Sequence, residues 1–210
     1  MKLALTIPKQ QLFDQSIIHH ANLIKPMNPI DLNSFSYELS DREECETNFE
    51  KLQIIPYITL RDVGSNKIFA YRRGNGSTES RLKGLYSVGL GGHVEQTPSE
   101  GQTIVDVLIE DIFRELEEEV GLVRTNNLKK YLQRAFEQDD YKLIYSTDRE
   151  VDKVHLGLWI VLPIDARLIS SKELDIISRS TWMYKSELHL LTRSGAESLE
   201  TWSAAILQYL

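Results

Sequence analysis

The segment from Ile104 to Leu122 constrains this chain more than any other. Ile104, Leu108, Ile109, Ile112, Phe113, Leu116 and Val120 recur at spacings of three and four, the period of an α-helix that turns one face to a core. Gly121 follows, where a helix ends in a left-handed cap. Around it the chain reads mostly as strands. Leu52 to Leu60 is β-branched and aromatic, and Gly64-Ser65-Asn66 turns it into Lys67 to Arg73. Leu85 to Leu90 leads to Gly91-Gly92, and Tyr131 to Phe136, Lys142 to Ser146 and Val154 to Leu162 read as three more strands. Ser194 to Leu210 reads as an amphipathic closing helix, with Ala196, Leu199, Trp202, Ile206 and Leu210 on one face. Strands on both sides of a central helix predict an α/β (α+β) fold, an α/β/α sandwich about a mixed sheet.

The other face of the central helix is charged. Glu115, Glu118 and Glu119 stand at i, i+3 and i+4, so at about 100° per residue they project from one side of one turn. Carboxylates that close repel one another, raising their own pKa values or fraying the helix. A divalent, oxygen-seeking cation removes the conflict, and Mg²⁺ or Mn²⁺ shared with substrate phosphates is the natural occupant.

The full run Arg114-Glu115-Leu116-Glu117-Glu118-Glu119-Val120-Gly121-Leu122 should arise by chance on the order of once in ten million windows. It resembles the second half of the Nudix hydrolase signature, Gly-x5-Glu-x7-Arg-Glu-U-x-Glu-Glu-x-Gly-U with U aliphatic. The order of elements from about residue 52 to 190 also looks like the Nudix fold. The first half departs from the pattern. Counting back from Arg114, the family's Glu falls on Asp106, and about eight extra residues separate it from Gly92. With Thr97-Pro98-Ser99-Glu100 as a favourable helix start, Asp106 is already helical. It then lies about 180° round the helix and roughly 13 Å along it from Glu115. The supporting carboxylate is expected from the turn instead, Glu95 ahead of Glu100.

The resemblance implies roles. Glu115 is the general base that activates water, Glu118 and Glu119 hold the metal with Glu115, and Gly91 and Gly92 bring a backbone carbonyl to it. Arg114, a planar fork, orients one of the carboxylates. Family members often add an acidic ligand from a later loop, for which Glu173 is the candidate, with Asp175 and Glu187 behind it. Arg72, Arg73, Arg81 and Lys83 crowd the loop before the glycines and would suit the phosphates of a diphosphate. His93 reads as structural, and His19-His20, His155 and His189 show no zinc spacing.

The implied activity is Mg²⁺-dependent pyrophosphohydrolysis of a nucleoside diphosphate linked to another moiety. The altered first half keeps open a catalytically silent Nudix-like module that binds a nucleotide or a partner protein. An isoprenoid diphosphate isomerase on the same fold would want additional catalytic Cys and Glu residues, and Cys45 lies well before the sheet. No Gly-x-Ser-x-Gly, Walker or Gly-x-Gly-x-x-Gly motif occurs.

Composition sets the outer bounds. With 210 residues the chain has room for one core, here residues 51–210, and an N-terminal extension, residues 1–50, packed on or beside it. In that extension Pro26, Asn28 and Pro29 mark a loop, and Glu38 to Glu50 reads as an acidic helix. A net charge of −7 argues against a nucleic-acid partner, though not against a phosphorylated small molecule whose metal reverses the local sign. The longest apolar stretch, Leu156 to Leu162, is far short of the ~20 residues that span a bilayer. The single Cys45 leaves no internal disulfide, and with no signal-peptide core at the N-terminus a cytoplasmic protein is expected. The closing helix and the N-terminal extension offer faces for a homodimer.

Overall fold

The computed structural model describes residues 2–14, 22–24, 31–74, 82–169, 177–193 and 199–210. In chain order the elements are β1 (Leu3–Pro8), α1 (Gln10–Asp14), β2 (Asn22–Ile24), β3 (Glu38–Asp41), α2 (Arg42–Cys45), β4 (Lys51–Asp62), β5 (Ile68–Arg73) and β6 (Tyr86–Ser87). Then come α3 (Ile104–Val120), α4 (Asn126–Glu137), β7 (Lys142–Tyr145), β8 (His155–Ile164), β9 (Ile177–Met183), α5 (Lys185–Arg193) and α6 (Thr201–Ile206).

Strands β4 and β8 run parallel for ten residue pairs, from Gln53 opposite His155 to Asp62 opposite Ile164. Buried on both faces, they read as nearly continuous apolar runs. The described strands join in the order β2-β7-β8-β4-β1-β3, and β5 links β4 to β6 and β9. All pairs but β4–β8 are antiparallel, which makes the sheet mixed. Pro56 sits in the middle of β4 at no cost to the ladder. Ile58 N–H points away from β8 to Leu90 O, so the nitrogen of Pro56, two residues earlier, faces the same side. Pro56 therefore withholds no donor from the β4–β8 ladder.

The two sheet faces carry separate cores. Leu52, Ile54, Ile58 and Leu60 of β4 join Leu156, Leu158, Ile160 and Leu162 of β8 beneath the α3 stripe. Tyr57 and Trp159, of opposite parity, pack with Leu188, Leu199, Ile206 and Leu207 under α5 and α6. Every residue of the expected α3 stripe is buried, and Leu116 is completely so, worth roughly 1.5–3 kcal/mol. Gly121 ends α3 in the left-handed region, φ 64°, with its N–H on Glu117 O.

Four local expectations change. Residues 131–136 are helical: α4 starts behind Thr125, whose side chain caps Leu128 N. Leu128, Tyr131, Leu132, Ala135 and Phe136 all pack against the α3-side core, a spacing of three and four that a six-residue window hides. The 38–50 segment opens with β3, paired to β1, before Asp41 accepts from Glu43 and Glu44 N–H and starts the short α2. Helix α3 begins at Ile104 rather than at Thr97–Glu100. Thr103 accepts from Asp106 N–H, and the Asp106 carboxylate accepts from Thr103 N–H in return. The closing helix starts at Thr201 and tightens into a 3₁₀ turn over Leu207–Tyr209, while residues 194–198 lie outside the described ones. No helix among the described residues is long and apolar enough to cross a membrane.

Candidate active site

A cavity of about 260 Å³ opens beside the C-terminal half of α3. Glu115 and Glu119, one turn apart, face it together with Gly91, Gly92 and Glu95. Helix and glycine turn are in contact. A Cβ on Gly92 would stand 2.2 Å from Glu115 Oε1, and one on Gly91, at φ 154°, would stand 1.8 Å from Pro56 O. Only glycine lets this backbone pass between β4 and the helix. The carboxylate oxygens with the neighbouring backbone form a hard donor set that fits Mg²⁺ or Mn²⁺.

Arg114 ties the face together. Its Nη2 lies 2.7 Å from Glu115 Oε1, and its Nη1 donates to Glu118 Oε2 at 3.2 Å. It also donates to His93 O at 3.1 Å, and to Asp111 Oδ1 from Nε at 3.1 Å and Nη2 at 2.5 Å. Burial pushes the Asp111 carboxyl up, to about 7, against the lowering pull of Arg114. One guanidinium thus fixes the rotamer of Glu115 and anchors the helix to the glycine turn. Glu118 is half exposed and does not line the cavity, whereas Glu119 is buried in its wall.

A second wall comes from late in the chain. Glu200 Oε1 accepts from Tyr57 Oη and Ser87 Oγ, both at 2.6 Å, and its Oε2 accepts from Arg73 Nε at 2.8 Å. Ser203 Oγ contacts Tyr57 Oη at 2.7 Å and accepts from Val88 N–H. Burial works against the Arg73 charge and Glu200 outweighs it, so Arg73 stays protonated. Trp202 packs edge-on to Tyr57 over Gly157 and lines the cavity with Arg42.

The remaining wall holds His93 and His155, their Nε2 atoms 3.1 Å apart. Burial, with His155 and several cations nearby, pushes His93 down to about 2, so its ring is neutral. Among the described residues, the one trio of His, Cys, Asp or Glu ligand atoms lying within 4.8 Å of one another is Glu46, His93 and His155. The glutamates of α3 share a face of the helix without gathering to that degree.

Of the residues proposed from sequence, the cavity brings together Glu115, Glu119, Gly91, Gly92, Glu95 and Arg73. Arg114 braces them from behind. Arg72 is exposed, with Nε on Gly84 O, and Lys83 is exposed; neither lines the cavity. Arg81, Glu173 and Asp175 lie outside the described residues. Glu187 accepts from Tyr184 N–H at the start of α5 and does not line the cavity. Sequence reasoning missed Asp111, Glu200, Arg42, Glu46 and the His93–His155 pair. Asp111 was within reach, three residues before Arg114 on the same helix. The others depend on strand pairing across long separations.

No family model matches the chain. Protein YmaB of Bacillus subtilis (strain 168) is 28% identical over 176 residues, covering 83% of this chain and 79% of that protein. The crystal structure of Tm1382, a candidate Nudix hydrolase, superposes over 100% of both chains at a TM-score of 0.69 and 21% identity. The mixed sheet between helix layers, the glycine turn against α3 and that superposition agree: this chain has the Nudix fold.

Proposed function

We propose that the chain is a Mg²⁺- or Mn²⁺-dependent Nudix-type pyrophosphohydrolase acting on a nucleoside diphosphate linked to a second group. The observation that carries the reading is Glu115, held by Arg114 against the Gly91–Gly92 backbone at the edge of a cavity that Glu119 also faces. Bound there, the metal would supply charge neutralisation on the diphosphate and acidify a water. Glu119 and Glu115 would hold it, with Glu118 at the rim. Glu115 accepts the proton of the attacking water, and Arg114 keeps its carboxylate in one orientation. Arg42 offers positive charge to phosphate oxygens, and Trp202 and Ile55 offer an apolar surface to the nucleoside. Phosphate-release assays on a panel of nucleoside diphosphate sugars, dinucleotides and nucleoside triphosphates test it. Turnover with Mg²⁺ that EDTA abolishes is the expected result, and none with any panel member overturns it.

Metal binding should follow burial. Glu119→Gln is expected to weaken Mg²⁺ binding at least about tenfold, or ~1.4 kcal/mol, and Glu118→Gln less, because Glu118 is tied to Arg114 at the rim. Isothermal calorimetry with Mg²⁺ reads both, and equal affinity in wild type and both variants removes the carboxylate site.

The helix start leads to a contrasting pair. Asp106 serves its own N-terminus through Thr103, so Asp106→Asn should cost below about 1 kcal/mol in urea denaturation and leave turnover within about twofold. Glu95 lines the cavity as the supporting carboxylate, and Glu95→Gln should slow turnover by about tenfold or more. The reverse pattern would move the supporting role to Asp106.

A further inference from the structure

His93 and His155 reach one another from the glycine turn and from the start of β8, and both line the cavity. Their Nε2 atoms are 3.1 Å apart, and Glu46 Oε1 lies 3.9 Å from Nε2 of His155. Two nitrogens on one tetrahedral Zn²⁺, at ~2.0–2.1 Å each, stand about 3.3 Å apart. The observed spacing therefore needs little adjustment to admit an ion. The ring orientation is set as well. Val151 O can only accept, so Nδ1 of His155, at 2.6 Å, carries a hydrogen, and Nε2 is the ring atom turned toward the cluster. A carbonyl behind the distal ring N–H is how proteins orient histidine ligands. Gln53, fully buried and in register with His155 across β4 and β8, places its Nε2 3.5 Å from Glu46 Oε1.

We propose that His93, His155 and Glu46 form a binding site for a zinc-class transition-metal ion, beside the α3 carboxylates and opening on the same cavity. Two imidazoles and one carboxylate are a donor set that Zn²⁺ or Co²⁺ favours over Mg²⁺. Three protein ligands leave a fourth position, toward the cavity, for water or an oxygen of an anionic ligand. Arg42, which lines the same cavity and lies near enough to His93 for its charge to be felt, suits an anion there. Glu46 is the residue that follows α2, so a segment preceding the central strand supplies one ligand. The site stands whether or not the cavity hydrolyses a diphosphate.

The test uses the full chain stripped with a chelator and then saturated with Mg²⁺, so that the α3 carboxylates are occupied while Zn²⁺ is titrated. Wild type should take up one Zn²⁺ per chain. His155→Gln and Glu46→Gln should each weaken it by more than about 100-fold, and Glu119→Gln should change it by less than about threefold. Long-range ¹H–¹⁵N spectra of the histidine rings in the wild-type protein need no variant to fold. Zn²⁺ should move the Nε2 resonances of His93 and His155 together. Ring resonances that stay in place at saturating Zn²⁺ would show a plain imidazole–imidazole hydrogen bond and overturn the proposal. Zn²⁺ affinity that falls in Glu119→Gln but not in His155→Gln would overturn it too.

Discussion

Glu115→Gln should lower kcat by about 10²–10⁴ while KM moves by less than about threefold. The substitution keeps the shape of a side chain packed against Gly92, where space is limiting. Its amide oxygen can still lie against the Arg114 guanidinium, and Arg114 retains Asp111, Glu118 and His93 O as partners. What is lost is the ability to take a proton from water. Steady-state kinetics with Mg²⁺ on the substrate found in the panel, alongside a thermal melt matching wild type, isolates that loss. A kcat within about threefold of wild type would mean that another carboxylate of the cavity, Glu95 or Glu119, is the base.

Glu200→Ala should destabilise the fold by about 3–5 kcal/mol. Glu200 is 3% exposed and is the shared acceptor for Tyr57, Ser87 and Arg73. Removing it strands a buried guanidinium and leaves two buried hydroxyls short of a partner, which is costlier than never having placed the charges there. Urea denaturation reads the change as a lower midpoint at unchanged slope. Adding Arg73→Met should recover much of the loss, since the second substitution removes the uncompensated charge. If Glu200→Ala costs less than about 1 kcal/mol, Arg73 has found another partner or water, and the pair is not a stability element.

What could be read from sequence follows physical range. The body and C-terminal end of helix α3 were legible because its stripe runs for 17 residues and ends on a glycine that the left-handed cap requires, whereas its start, capped by Thr103 and Asp106, was placed too early. Strands β4 and β8 were legible because a strand buried on both faces has little choice but to be apolar throughout. Helix α4 was misread because Tyr131 and Phe136 favour strands when taken alone, and only Leu128 and Ala135 restore the helical period. In the site, Glu115 and Glu119 share one helical turn, so local geometry placed them. His93 and His155 are 62 residues apart and Tyr57 and Glu200 are 143 apart. Their meeting depends on the β4–β8 register and on where α6 docks, and no local periodicity encodes either.

The docking of residues 199–203 also bears on when this cavity can exist during synthesis. Tyr57, Arg73 and Ser87 are made long before Glu200, yet the Arg73 guanidinium meets the two hydroxyls through its carboxylate. Domains begin to fold as they emerge, earlier segments first, and contacts between distant residues carry the loop-closure entropy that slows folding. The α3 layer, whose contacts are closer in sequence, can therefore be in place while the Arg73 wall still waits, hydrated, for its counter-charge. Arrival of residues 199–207 then does two things in one step: it dries the α6 side of the sheet and gives the cavity its shape. A chain released before that point would carry Glu115, the proposed general base, already positioned beside a pocket with one wall missing.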